Sequence, residues 1–194
     1  MEARNLDLDN EKRQLRSKIR ALKDQYSREI LDYKSNIIHE TLAGMREFQE
    51  ASSVTAYVAL PDEVQTLSLL ENYCQRKKIF LPVVEGNDIS FYRYTGYNSL
   101  KIGSFGIREP DPDSEKAELS DIDLFLVPGM AFDKNCNRMG RGKGFYDRIL
   151  KHVKAPVWGV CFDFQLFDNI PVNQQDIKMT KVITDLTTVM AKME

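Results

Sequence analysis

Cysteine is scarce in this chain. Cys74, Cys136 and Cys161 are odd in number and far apart, with no C-x-x-C pair. That excludes a disulfide framework and a Cys/His zinc site, and a reducing cytoplasm is the expected compartment. An excess of charge of one sign is also missing. Lys and Arg total 27 against 29 for Asp and Glu, so nothing draws the molecule as a whole to nucleic acid or to an acidic membrane surface. No apolar run approaches the ~18 residues of a membrane span. Met1 to Arg20 is strongly charged and lacks the apolar middle of a secretion signal. The two histidines, His39 and His152, have no obvious partners and are expected to be structural or on the surface.

What is present reads as one α/β unit. Glycine is absent before Gly44 and proline before Pro61, so the first ~50 residues are expected to be helical. Leu15, Ile19 and Leu22 recur at helical spacing, and Ile30, Tyr33, Ile37, Ile38, Leu42 and Met45 do the same for a second helix. The period then changes. Val54 to Leu60, Leu124 to Val127 and Val157 to Cys161 are short apolar runs of the kind buried on both faces of a parallel sheet. Ile79 to Val84 and Ile89 to Tyr94 are further strands. Asp62 is placed to cap a helix that buries Val64, Leu67, Leu70 and Cys74. Gly96 to Asp113 reads as a loop. The expectation is a mostly parallel central sheet with helices on both faces, a three-layer α/β/α fold with an N-terminal helical pair, forming one domain over 1–194.

The stretch that carries chemistry begins where the strand Leu124–Val127 ends at Pro128-Gly129. A loop follows with Gly140, Gly142 and Gly144 alternating with Arg141 and Lys143, and it feeds a short helix at about Gly144 to His152. Glycines let backbone amides approach an anion closely, a helix N-terminus favours phosphate, and Arg138, Arg141 and Lys143 add positive charge. Asp147 supplies a hard oxygen suited to Mg²⁺. By themselves these features fit a solvated surface loop as well as an anion cradle. They lack the Gly-Lys-Ser/Thr ending of a P-loop and the spacing of the dinucleotide fingerprint.

The full string is more specific. Arg138-Met139-Gly140-Arg141-Gly142-Lys143-Gly144-Phe145-Tyr146-Asp147, preceded by Val127-Pro128-Gly129, resembles the signature of the 5-formyltetrahydrofolate cyclo-ligase family. There a Val-Pro-Gly segment leads to Arg-Leu-Gly-x-Gly-x-Gly-Tyr-Tyr-Asp. Met139 replaces the usual Leu, and Phe145 replaces the usual Tyr and loses its hydroxyl. The likeness runs along nearly the whole chain, through Lys12 and Arg16, the acidic pair Asp62-Glu63, the aromatic Phe91-Tyr92, the segment Phe105 to Pro110, and Pro171 to Asp176.

The resemblance implies an enzyme that uses ATP and Mg²⁺ to convert 5-formyltetrahydrofolate to 5,10-methenyltetrahydrofolate, with small molecules as its only partners, no nucleic acid and no membrane. It implies that ATP meets Lys12, Arg16 and the segment Arg138 to Tyr146, that Arg141 and Lys143 act in catalysis, and that Asp147 and Asp176 hold the metal. Val58, Glu63, Phe91, Tyr92, Phe105 and Tyr146 are the implied folate contacts. Three other readings stay open on the residues alone: a nucleotide sensor on the same scaffold, another small-molecule kinase, and a nucleic-acid-binding module using Lys12 to Arg20 and Arg138 to Arg148. The near-neutral charge and the acidic stretch Asp111 to Asp123 weigh against the last.

Overall fold

The computed structural model describes residues 2–103 and 106–192, with the backbone alone for residues 2–6. Helices α1 (Glu2–Lys23), α2 (Arg28–Gly44) and α3 (Arg46–Glu50) precede strand β1 (Ser53–Thr55). Then come α4 (Leu67–Tyr73), β2 (Lys78–Glu85), β3 (Asp88–Tyr94), β4 (Leu100–Ile102), β5 (Arg108–Pro110) and β6 (Leu124–Pro128). The chain continues through β7 (Ala131–Asp133), β8 (Arg138–Met139), α5 (Phe145–Leu150), β9 (Val157–Val160), β10 (Leu166–Phe167), β11 (Lys181–Ile183) and β12 (Thr188–Met190).

Seven strands form the main sheet in the order β12-β11-β9-β6-β1-β2-β3. The five inner strands are mutually parallel, and only the edge strands β3 and β12 run antiparallel to their neighbours. The expected parallel sheet is therefore present. Strand β6 shows why its sequence is continuously apolar. Leu124 and Leu126 enter the core beneath α2, while Phe125 and Val127 enter the opposite core with Leu150 of α5. A strand covered on both faces has no solvent side to alternate toward. On the second face α5 has only 6 residues, and Phe132, Cys136 and Met179 complete the cover.

Several details differ from the sequence expectation. Regular pairing at β1 stops at Thr55, and the chain through Tyr57 to Leu60 leaves the sheet. Asp62 caps no helix, since α4 starts at Leu67. The intervening turn closes on itself instead: Leu60 N–H donates to Glu63 Oε2 at 3.0 Å, and the Thr66 hydroxyl donates to Tyr57 O at 2.5 Å. Asp62 is thereby released to pair with cations. On α2 the buried residues are Leu31, Ser35, Ile38 and Leu42, whereas Ile30 and Tyr33 are exposed. A polar residue in the stripe misled the apolar pattern: the Ser35 hydroxyl donates to Leu31 O and accepts from Gln65 N–H. The expected loop Gly96 to Asp113 contains the antiparallel pair β4–β5. His39 is structural, with Nε2 2.6 Å from Gln65 O, and burial pushes its pKa down.

A second, three-stranded sheet, β10-β7-β8, sits beside the C-terminal end of β6. Buried Asp133 organises it by accepting from Asn135 N–H, Asn137 N–H, Asn137 Nδ2 and Ile170 N–H. Helix α1 packs on this sheet, placing Ile19 among Met130, Ala131, Met139 and Ile170.

Candidate active site

Strand order reverses at β1: the chain passes from β1 to β2 on one side, then returns to β6 on the other. In open α/β sheets the crevice beyond the carboxyl ends of strands at such a switch point is the natural ligand site. The cavity of about 420 Å³ lies there. Tyr57, Val58 and Leu60 enter it from the segment after β1, and Pro128 and Gly129 from the end of β6. Pro82, Val84 and Ile89, from β2 and β3, form an apolar wall. Arg138, Gly140, Arg141, Lys143, Gly144, Phe145, Tyr146 and Asp147 form the polar one.

Close packing makes Gly129 necessary, since a Cβ there would sit 2.6 Å from the Phe132 ring. The loop itself needs Gly142 and Gly144, whose φ values of 104° and 69° are unfavourable for residues with a side chain. Its start is fixed by β8, where Arg138 pairs in register with Phe132.

Each cation of the loop meets a different environment. Arg138 is buried, donates from Nη1 to Pro128 O at 3.2 Å, and pairs through Nη2 with Asp147 at 2.9 Å. Its Nε has no partner among the described residues, and neither does the Tyr146 hydroxyl, although both atoms are shut off from solvent. Burial pushes the Tyr146 phenol well up, against the pull of Arg138. Both atoms belong to residues that line the cavity. Arg141 reaches across to the turn after β1, donating from Nε to Glu63 at 3.0 Å and from Nη2 to Asp62 at 2.6 Å. Burial acts to raise the Asp62 pKa, but Lys23 at 2.9 Å and Arg141 outweigh it and hold that carboxyl below its ordinary value. Lys143 is exposed and forms no ion pair among the described residues.

The other face of the loop meets α1. Arg16 donates from Nε to Gly140 O at 3.0 Å, and its guanidinium lies beside Gly142. Burial and then the like charge of Arg20, one turn on, push the Arg16 pKa down. Lys12, in the same helix, is buried against Asp176 at 2.5 Å.

The structure thus brings Val58, Glu63, Phe145, Tyr146 and Asp147 to one cavity with Arg138, Gly140, Arg141, Lys143 and Gly144. Phe91 and Tyr92 do not line it. Phe91 lies in the core, edge-on to Phe125, and the Tyr92 hydroxyl donates to Glu85 beside Lys116. Met139 faces the α1 core instead of the cavity. Phe105 lies outside the described residues. The sequence reading missed Tyr57, Leu60, Pro82, Val84, Ile89 and the strand β5. Nothing in those aliphatic and aromatic positions distinguishes a pocket wall from core.

The two implied metal ligands do not form a ready cage. No group of three or more His, Cys, Asp or Glu converges among the described residues. Asp147 gives Oδ1 to Arg138, while its second oxygen makes no hydrogen bond among the described residues. Asp176 uses Oδ2 for Lys12 and Asn173 N–H. Mg²⁺ normally takes one or two carboxylates together with substrate phosphates and waters. Asp147 fits such a shared role, for a metal that arrives with a nucleotide.

A switch-point cavity with one apolar wall and one wall of glycines, arginines and a lysine fits the class of α/β enzymes with a small-molecule site. Its family is specific: the chain belongs to the 5-formyltetrahydrofolate cyclo-ligase family, whose profile matches residues 8–185. The chain is 27% identical over 191 residues to the 5-formyltetrahydrofolate cyclo-ligase of Mus musculus, covering 91% of this chain and 94% of the relative. It is 35% identical over 142 residues to that of Mycolicibacterium smegmatis, covering 68% and 73%. Its fold matches the solution structure of Aquifex aeolicus 5,10-methenyltetrahydrofolate synthetase with a TM-score of 0.86 and 34% identity over 94% of each chain.

Proposed function

We propose that this protein converts 5-formyltetrahydrofolate to 5,10-methenyltetrahydrofolate with release of ADP and phosphate from ATP. The observation that carries the reading is the cavity wall itself. Lys143 stands between two glycines, with no ion pair among the described residues, on a loop that faces an apolar surface across about 420 Å³, within the ~300–1,000 Å³ range of small-molecule sites.

The formyl group is amide-like and a poor electrophile. Transfer of the γ-phosphoryl group to the formyl oxygen breaks the bond to ADP and turns that oxygen into a leaving group. The neighbouring folate nitrogen at position 10 then attacks the formyl carbon, loses its proton, and phosphate departs as the ring closes. No protein nucleophile is required. The enzyme positions the groups and excludes water.

In this reading Lys143 and Arg141 stabilise charge on the moving phosphoryl group. Lys12, Arg16 and the backbone from Arg138 to Tyr146 hold the nucleotide. Arg141 starts from its contact with Asp62 and Glu63, so a pterin N–H edge that occupies Glu63 releases the arginine toward phosphate. Asp147, with Asp176 as the further candidate, would hold Mg²⁺, which would neutralise phosphate charge. Val58, Glu63 and Tyr146 border the folate. Phe91 and Tyr92 are implied contacts that do not line the cavity, and Phe105, also implied, lies outside the described residues.

The test is the absorbance of methenyltetrahydrofolate formed by purified protein, with and without Mg-ATP. Product only with Mg-ATP is expected. Equal product without ATP, or none from folded protein under reducing conditions, overturns the reading.

A further inference from the structure

Two cations on the cavity wall form no ion pair among the described residues, Lys143 and Arg108. Lys143 belongs to the phosphate-facing loop. Arg108 stands elsewhere, on β5, opposite Ile102 in the β4–β5 pair. Its guanidinium carbon lies 4.8 Å from the Tyr97 ring centroid, and Tyr97 is 43% exposed. Stacking on a tyrosine fixes the plane of an arginine but leaves its N–H edge available, and that edge matches a carboxylate in two-point geometry. No ion pair among the described residues occupies it. Lys101 pairs with Asp111, and Glu109 turns its carboxylate to Gly103, where a missing Cβ makes room.

Arg108 shares the cavity with the aliphatic wall of Pro82, Val84, Ile89 and Ile107. An apolar wall with a stacked arginine that forms no ion pair among the described residues suits an elongated ligand that has a flat body and an anionic end. A folate has that shape: pterin, aryl ring, then a glutamyl tail with two carboxylates. With the pterin at Glu63 and the formyl group toward Lys143, the aryl ring is left the aliphatic wall and the tail is left Arg108. We infer that Arg108, seated on Tyr97, holds a glutamyl carboxylate of the folate and makes the site selective for substrates with an anionic tail. The inference rests on the folate reading above.

The experiment measures binding without ATP, by quenching of intrinsic fluorescence, for 5-formyltetrahydrofolate and for its glutamyl dimethyl ester. Wild type is expected to bind the diacid about tenfold or more tightly than the ester, the loss typical of a charge-assisted contact. Arg108→Ala is expected to bind both alike, at the ester's level, with an unchanged melting temperature. Arg108→Lys keeps the charge without the fork and should recover part of the difference. If Arg108→Ala weakens both ligands equally, or neither, the assignment is overturned. Wild-type turnover in the Mg-ATP assay decides the folate reading separately. Turnover without any diacid preference sinks Arg108 alone, and absence of binding to both ligands sinks both.

Discussion

Arg138 and Lys143 stand five residues apart on one loop, and the fold treats them in opposite ways. Arg138 is buried, stacked near Tyr146, and tied to Asp147 and to the carbonyl at the end of β6. Lys143 is exposed between two glycines and has no ion-pair partner among the described residues. Equal charge and a shared motif therefore do not mean an equal task. A cation whose partners come from the protein fixes the loop. A cation without them is available to a ligand. Arg141 lies between these extremes, half-exposed and engaged by Asp62 and Glu63.

The contrast breaks first at Arg138. Arg138→Met leaves Asp147 without its partner and removes the link to Pro128, at a cost of about 3 kcal/mol. Thermal unfolding should then start roughly 10 °C lower. A melting temperature within ~2 °C of wild type would place Arg138 with Lys143 instead. Lys143→Ala is the next largest effect. It should lower kcat about 10²-fold at saturating ATP, while the melting temperature stays put. If kcat holds and only KM for ATP rises, Lys143 contributes uniform binding and no transition-state stabilisation. Arg141→Ala should give a similar or smaller fall in kcat, and it serves as the midpoint of the series.

Asp147→Asn sharpens the comparison from the acidic side. Because the carboxylate faces a buried guanidinium, the change should cost about 1–2 kcal/mol, more than an ordinary surface loop residue. It should also raise the Mg²⁺ concentration needed for half-maximal activity. Unchanged Mg²⁺ dependence removes Asp147 from the metal. The smallest effect concerns pH. Asp62 is held below its ordinary pKa in the folded state, so its ionised form adds stability above the ordinary aspartate value. That contribution fades as pH falls through the depressed folded value. Part of the carboxylate is solvated, so it amounts to under ~1 kcal/mol. Wild type minus Asp62→Asn, followed by urea unfolding, should show a difference near neutrality that disappears in acid. A difference that grows in acid would reverse the sign.

Much of the scaffold was legible from residue order. β6 and β9 are continuous apolar runs because both of their faces are buried, and buried faces leave no other pattern. The loop was legible because positive φ and close approach leave glycine as the fitting residue, so Gly142 and Gly144 mark the backbone without any knowledge of the neighbours. Resemblance to the family pointed to Glu63 and Asp147, which line the cavity, and to Lys12 and Arg16 of α1, which do not. On α2 the phase failed at Ile30 and Tyr33, because Ser35 holds a core position through hydrogen bonds that hydropathy does not register.

What the chain's sequence determined by itself is local: which segments extend, which coil, and where the backbone must bend. Tertiary structure decided the partners. Arg141 meets Glu63 from 78 residues away, and Lys12 meets Asp176 from 164. The return of the chain from β2 to β6 across β1 opens the cavity, so Pro82, Val84 and Ile89 become wall while Phe91, two residues further on, becomes core. Side-chain chemistry is written residue by residue, but burial and ion pairing depend on which distant surface arrives. Only the folded sheet supplies that surface.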